Sequence, residues 1–317
     1  VFALGNSPLR LYGCGAAVCK RARRRGLDVT GAYLQGTFTN KIVYCRAPPD
    51  CREYDERGVE MIWALVRPLY DAGRIWYNTF SHWLMVEEQF YRSDGDPCHF
   101  FKQFDDGTDI QLDLYVDDGS TFDTNQKECD AFYERMAAAF KITLDDGEYF
   151  LGMDVFCISP TEIKLTNDTY IMALVARELP QGIEKYRTFY TPCDPRIMEY
   201  YEAALNAKCE VHPTFMRRYR ALVGGLAWLA PTARPDTMYM TGICARAYTF
   251  PTEELYGCGV RGLVYVAQTR GIGIRFDGTT ADARVLKAAS DSDWNEKHST
   301  SGGCVRLAGG CCLGVSR

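Results

Sequence analysis

The sequence predicts an α+β protein built on antiparallel sheet, with helices packed on one face of it. Three observations carry that reading. Residues 109–123 read DIQLDLYVDDGSTFD: an alternating apolar run, a corner at Asp117-Asp118-Gly119, then a β-branched and aromatic run, which is a hairpin signal. Residues 127–140 place Phe132, Met136 and Phe140 at four-residue steps among alanines and charges, an amphipathic helix for that hairpin's sheet. From Gly271 onward GIGIRFDG, RVLKAASDSDW and SGGCVRLAGGCCLGV are runs bounded by glycines and polar turns, so strands dominate there.

The other elements follow in order. Residues 26–44, GLDVTGAYLQGTFTNKIVY, open as the end of a strand carrying Asp28, then give a short helix and another strand. Between Ile75 and Gln89, Trp76, Phe80, Trp83, Leu84 and Glu87 fall at helical spacing, whose apolar members form one buried stripe. Residues 148–164 read as two strands about Ser159-Pro160, and Asn167 or Asp168 caps the helix that follows. Residues 187–196, with Pro192 and Pro195, form a linker, after which 215–248 and 252–268 are mainly helical. There is no tandem repeat, and the last β-rich stretch is still running at Arg317, so the final domain is expected to be incomplete.

Composition narrows the class. A chain of 317 residues with 47% hydrophobic content can bury real cores. Its 14 cysteines include no Cys-x-x-Cys spacing, and pairs such as Cys14 with Cys19 or Cys45 with Cys51 read as reduced thiols. The four histidines, His82, His99, His212 and His298, stand at no zinc-ligand spacing. No apolar run of about eighteen residues and no signal pattern is present, so an intracellular, soluble protein without a membrane partner is expected. A net charge of −5 opposes a nucleic-acid partner, because Lys and Arg contacts to phosphate dominate such affinity. Two local clusters offset it: KRARRR at Lys20–Arg25, and Arg217, Arg218 and Arg220. Each fits a solvated face as well as a phosphate contact.

Three carboxylates carry the chemistry. Asp28 at a strand end and Asp117 and Asp118 at a hairpin tip fall at one sheet edge if their strands are neighbours. Such a set is repulsive without cations and suits a pair of Mg²⁺ ions about 4 Å apart. A second reading stays open from the residues alone: Asp117-Asp118-Gly119 is a turn and nothing more.

LDVTGAYLQG, LYVDDGSTF, the helix after it, and YFLGMDV resemble, in that order, the palm motifs of copia-type retrotransposon reverse transcriptases. LVGGLAWLAPTARPDTMYM, PTEEL and SDSDWNEKHSTSGG are similar to the same family's connection segment and ribonuclease H entry, so the resemblance covers roughly 27–310. It implies a right-hand polymerase palm, a helical thumb-connection and a partial ribonuclease H-like sheet. It implies domains at 27–165 (palm with partial fingers), 166–282 (thumb and connection) and 283–317 (truncated ribonuclease H-like), with 1–26 unmatched. On that resemblance Asp28, Asp117 and Asp118 are catalytic and hold two Mg²⁺, with Mn²⁺ as an alternative. Tyr33 is the gate against a ribose 2′-hydroxyl, or else a core tyrosine. Tyr115 and Val116 lie against the primer end, and Phe150, Leu151, Gly152 and Met153 are the primer grip, or else ordinary core. Asp291 matches the first carboxylate of a ribonuclease H site, or else is a solvent-facing strand aspartate. The implied partners are an RNA template, a DNA primer or RNA–DNA hybrid, and deoxynucleoside triphosphates. The implied compartment is the cytoplasm or a particle, with the nucleus also open.

Two departures stand out. Residues 1–26 lack the family's longer basic segment that holds the incoming triphosphate, and LYDAGRIWY is shorter than the family's stretch there. These departures favour an alternative, a catalytically inactive element remnant that only binds nucleic acid. With a single ribonuclease H carboxylate, no RNA-strand cleavage is expected of this chain.

Overall fold

A computed structural model describes residues 8–38, 42–69, 73–207, 210–293 and 299–316. Along the chain these form α1 (Pro8–Lys20), β1 (Arg23–Val29), α2 (Ala32–Gln35), β2 (Tyr44–Arg46), β3 (Ile62–Ala64) and α3 (Gly73–His82). Then come β4 (Tyr91–Arg92), β5 (His99–Gln103), β6 (Asp109–Tyr115), β7 (Asp118–Asp123), α4 (Gln126–Ala139), β8 (Ile142–Asp145), β9 (Tyr149–Phe150), β10 (Met153–Ser159) and β11 (Glu162–Thr166). The rest is α5 (Asp168–Glu178), α6 (Ile197–Ala207), α7 (Pro213–Thr232), α8 (Met238–Arg246), α9 (Glu253–Gln268), β12 (Ile274–Asp277), β13 (Lys287–Asp293), β14 (Thr300–Leu307) and β15 (Gly310–Ser316). The chain divides into two compact units, one holding Arg25–Asp146 and the other Asn6–Arg24 with Gly147–Arg317.

The first unit is organised by a sheet in the order β4-β5-β6-β7-β1-β8. Ile110, Leu112 and Leu114 alternate along β6 and are all buried, as the period of a strand requires. They share one apolar cluster with Leu27 and Val29 of β1, with Trp76 and Phe80 of α3, and with Phe132 and Met136 of α4. Trp76 meets Phe80 and Phe140 at ring-centroid distances of 5.1 and 5.5 Å, the second edge-on. The predicted helix over 75–89 begins at Gly73, and its second half, Trp83–Glu87, is wound as a π-helix, which keeps Leu84 inside. β2 and β3 form a separate small hairpin.

The second unit contains a sheet in the order β12-β11-β10-β9 and another in the order β13-β14-β15. Its largest core joins α5 to α9 through Leu174, Tyr219, Leu222, Leu226 and Leu263. The predicted helix over 215–248 is interrupted: α7 ends at Thr232, a 3-10 turn spans Pro235–Thr237, and α8 begins at Met238. Arg234, fully buried between them, pairs with Asp236 at 2.8 Å and donates to the carbonyls of Val266 and Thr269 at the end of α9. Two helices lay outside the sequence reading, α1 and α6. Gly15 of α1 sits against Leu307 and Phe276, and the Cys19 thiol donates to the Ala283 carbonyl.

Asn167 stands at the N-cap of α5 but makes no capping bond there. Its fully buried side chain donates to the Gly152 carbonyl at 3.0 Å and accepts from Thr232 Oγ1 and the Ala233 amide. It therefore clamps the β9–β10 hairpin to the end of α7. Every described cysteine is a free thiol. No helix among the described residues is long and apolar enough to cross a membrane.

Candidate active site

The β6–β7 hairpin turns one residue earlier than its sequence suggests. Tyr115 pairs with Asp118, so the two loop residues are Val116 and Asp117, and Asp118 and Gly119 are already in β7. Val116 has φ +57°, and Asp117 is not among the residues of positive φ, the pattern of a type II′ turn. A β-branched residue in that region costs about 1–2 kcal/mol. The Trp76 indole N–H donates to the Val116 carbonyl at 2.5 Å, tying the strained turn to the aromatic core. Gly119 has a different duty: a Cβ there would stand 2.8 Å from Leu27 Cγ, so the missing side chain lets β7 pack closely on the Leu27 side chain of β1.

That closeness assembles the carboxylates. β1 and β7 are neighbours in the sheet, and the Val29 amide donates to the Asp117 carbonyl at 2.8 Å, which sets Asp28 beside the turn. Asp28 is half-buried, and Asp117 and Asp118 are exposed. Partial burial, then the charges of Asp117 and Asp145, push the Asp28 carboxyl above its usual range. Burial, then Asp117, Asp28 and Asp145, do the same to Asp118. Asp145 is thus a fourth carboxylate of the group, and the sequence reading missed it. It sits at the end of β8, whose register sets Thr143 opposite Asp28 and Asp145 opposite Gly26. Among the described residues no three Asp, Glu, His or Cys side chains close on a point that could hold a metal as they stand. An all-oxygen, all-anionic donor set of this kind nevertheless matches the hard ligands that Mg²⁺ prefers.

The other predicted residues are distributed as follows. Tyr33, on α2, is half-buried against the first unit's core, and a Cβ on Gly73 would lie 3.4 Å from its ring. Tyr115 ends β6, half-buried, directly opposite Asp118. Phe150, Leu151, Gly152 and Met153 belong to the second unit. They form the β9–β10 hairpin, with Phe150 opposite Met153 and positive φ at Leu151 (+53°) and Gly152 (+76°). Phe150, Leu151 and Met153 are buried, and Gly152 lies against the Trp228 indole. Asp291, also in the second unit, is exposed on β13 opposite Gly302 and accepts from the Ser292 amide at 2.9 Å. The shortened stretch at Tyr70–Ala72, residues 1–7, and Trp294–His298 of the SDSDW segment lie outside the described residues.

The basic run at Lys20–Arg25 is neither wholly solvated nor wholly available for phosphate. Arg24 is buried and donates to the Gly147 carbonyl. Arg25 pairs with Asp130 at 2.6 Å and lies over the Tyr133 ring. Arg217, Arg218 and Arg220 are exposed on α7, with Arg218 over the Tyr256 ring.

Residues 9–193 match the family described as reverse transcriptase (RNA-dependent DNA polymerase). The match starts at residue 9, so most of the segment read as unmatched lies inside it. Over 285 residues the chain is 30% identical to the retrovirus-related Pol polyprotein from transposon RE1 of Arabidopsis thaliana, covering 88% of this chain and 18% of that one. The RE2 polyprotein of the same plant is 29% identical over 290 residues, again 88% and 18%. A transposon Ty5-1 protein of Saccharomyces cerevisiae is 26% identical over 290 residues, 90% of this chain and 89% of that one. The chain thus spans about a fifth of the length of the two plant polyproteins.

Proposed function

The chain belongs to the reverse transcriptase family, with copia-type retrotransposon polyproteins as its relatives, and from that premise we propose that it is an RNA-directed DNA polymerase acting at Asp28, Asp117 and Asp118. The observation that carries the reading is the meeting of these three carboxylates where β1 adjoins the β6–β7 turn, with Asp28 and Asp118 held above their ordinary range by burial and then by neighbouring carboxylates, Asp117 first among them. A protein keeps such an arrangement where a cation is to relieve it. The three aspartates, with Asp145 beside them, would hold two Mg²⁺ or Mn²⁺ ions. When bound, these supply a lowered pKa at the primer 3′-hydroxyl and charge neutralisation at the departing pyrophosphate.

What the chain's own residues do is position. The Trp76 bond to Val116 fixes the turn that presents Asp117, so little reorganisation is needed when substrate arrives. Tyr33, backed by Gly73, is placed to exclude a ribose 2′-hydroxyl by its bulk. Tyr115 and Val116 are proposed to lie under the primer terminus. In the second unit, the Phe150–Met153 hairpin is proposed as the primer grip, with Asn167 and Trp228 as its anchors. On this reading the first unit is the palm, the helices of the second are thumb and connection, and β13–β15 begin a ribonuclease H-like sheet. Asp291 is its one matched carboxylate. The partners are an RNA template with its DNA primer, and deoxynucleoside triphosphates.

One observation favours a second reading, a catalytically inactive element remnant: the described carboxylates do not close on a metal position as they stand. Mg²⁺-dependent extension of a DNA primer on an RNA template separates the two. Polymerase function predicts extension by the purified chain, reduced at least roughly a hundredfold by Asp117→Asn, since a shared ligand supports several kcal/mol of charge stabilisation. Equal extension by the variant would remove these residues from the site. A folded chain that extends nothing would establish the remnant.

A further inference from the structure

The first unit carries a second feature that the polymerase reading does not use. A cleft of about 470 Å³ lies between α3 and the β4–β5 corner, lined among others by Arg74, Tyr77, Asn78, Arg92, Ser93 and Asp94. Arg74, Tyr77 and Asn78 stand at i, i+3 and i+4 on α3, one face of the helix, while Trp76 and Phe80 bury the opposite one. Arg92 comes from β4, the edge strand of the sheet, separated from β7 by β5 and β6.

The cleft is built rather than loose. The Tyr77 hydroxyl donates to the Pro97 carbonyl at 2.7 Å and accepts from Arg92 Nη1 at 3.4 Å. The corner is tightened by the Ser93 amide on the His99 carbonyl and the Cys98 amide on Asp96. Several arginines elsewhere are held by carboxylates, among them Arg25 by Asp130, Arg135 by Glu88, Arg234 by Asp236 and Arg261 by Asp194. Among the described residues neither Arg74 nor Arg92 has a carboxylate at ion-pair distance. Asp94 lines the same cleft, so the two guanidiniums leave it with one net positive charge.

We propose that this cleft holds a backbone phosphodiester of the bound nucleic-acid strand, gripped by Arg74 and Arg92 with Asn78 and Ser93 as neutral donors. Planar guanidinium forks match phosphate oxygens two at a time, which a carboxylate-paired arginine cannot do. In a chain of net charge −5, a polyanion must be held where cations are locally uncompensated, and this is such a place. The proposal rests on the nucleic-acid partner of the polymerase reading and adds to it a contact outside the carboxylate group.

The test is binding of a fluorescent RNA–DNA primer–template to the full chain, followed by anisotropy from about 50 to about 200 mM KCl. Arg74→Gln and Arg92→Gln are each expected to weaken binding roughly tenfold near 0.1 M salt and to flatten the log–log salt slope by about one unit. Lys127→Gln, on the exposed side of α4, should change neither. Variants that bind as the wild type does, with unchanged slope, would overturn the phosphate site while leaving the polymerase reading standing. Variants that keep hybrid affinity but raise the KM for deoxynucleoside triphosphate, or lose competition by inorganic phosphate, would assign the cleft to a free phosphate and overturn the strand assignment. A wild-type chain that binds no hybrid would bring down the polymerase reading itself, and this inference with it.

Discussion

Two hairpins, one in each unit, solve the same geometric problem by opposite means. β6–β7 and β9–β10 both turn through two loop residues, Val116-Asp117 and Leu151-Gly152. In the second hairpin Leu151 and Gly152 are both at positive φ, and the glycine's lack of a Cβ admits the Trp228 indole. In the first the nearby glycine is spent elsewhere, on the contact with Leu27, and a valine takes the positive φ. The apolar hairpin puts a leucine and a glycine at positive φ and is held from outside by Asn167. The charged one puts a valine there, and it presents carboxylates that repel one another. Both turns carry backbone strain: one is anchored by buried hydrogen bonds and, on the proposed function, the other presents the site.

Breaking the anchored hairpin should have the largest effect on folding. Asn167→Ala removes three bonds and strips the Gly152 carbonyl of its side-chain donor, while the Thr232 hydroxyl keeps the Leu229 carbonyl, at a cost of about 2–4 kcal/mol in denaturant unfolding. A loss below about 0.5 kcal/mol would mean that the clamp is dispensable. Next in size is Gly119→Ala, which forces Leu27 to shift. About 1–3 kcal/mol of overpacking is expected, together with a drop in primer extension larger than stability alone explains. Smaller still, Val116→Gly should relieve strain and hold or raise stability by about 1 kcal/mol, yet slow extension roughly tenfold by loosening the turn. If extension were unaffected, the strain at Val116 would have no part in positioning Asp117.

The smallest effect is electrostatic, and its sign is opposite. Asp118 has a carboxyl raised above its unfolded value, so the folded chain binds its proton more tightly than the unfolded chain does. Ionisation at neutral pH therefore costs stability, and that cost fades as pH falls through the raised value. Asp118→Asn should lift the melting temperature of metal-free protein at neutral pH by on the order of one degree, with the gain vanishing in acid. Mg²⁺ should then stabilise the wild type more than the variant. A variant that melts lower at neutral pH would show that Asp118 is not under repulsion.

Much of this contrast could be read from the residues. The alternation of Ile110, Leu112 and Leu114 declares β6, and an apolar-Asp-apolar run puts Asp28 near a strand end, because both follow from periodicity; that this strand lies beside the hairpin is given by the sheet order. The position of the turn could not be read. Asp117-Asp118-Gly119 has the composition of a corner, and only the Leu27 side chain, some ninety residues earlier, reveals why the glycine must lie in the strand. Asp145 escaped because its strand, Ile142–Asp145, is short and largely exposed, so no alternation marks it. Arg24 and Arg25 were hidden in a charge run whose burial depends on Gly147 and Asp130, which composition cannot see. α1 carries glycines and no acidic residue in its first turn, so nothing local announced a helix that its packing on Leu307 and Phe276 supports.

That packing has a bearing on the order in which the chain acquires its structure. Among the described residues the first unit is drawn from one continuous stretch, and it can close as soon as that stretch has been synthesised. α1 cannot: its Cys19 thiol finds the Ala283 carbonyl across 264 residues, and Arg284 reaches back to the Cys19 carbonyl. The helix leaves the ribosome long before the strands that cover it. It waits with its apolar side unprotected while the whole of the first unit folds. Nascent chains halted before β12 should therefore be the ones most dependent on chaperones, and the slowest refolding phase should be the docking of α1 rather than the formation of either hairpin.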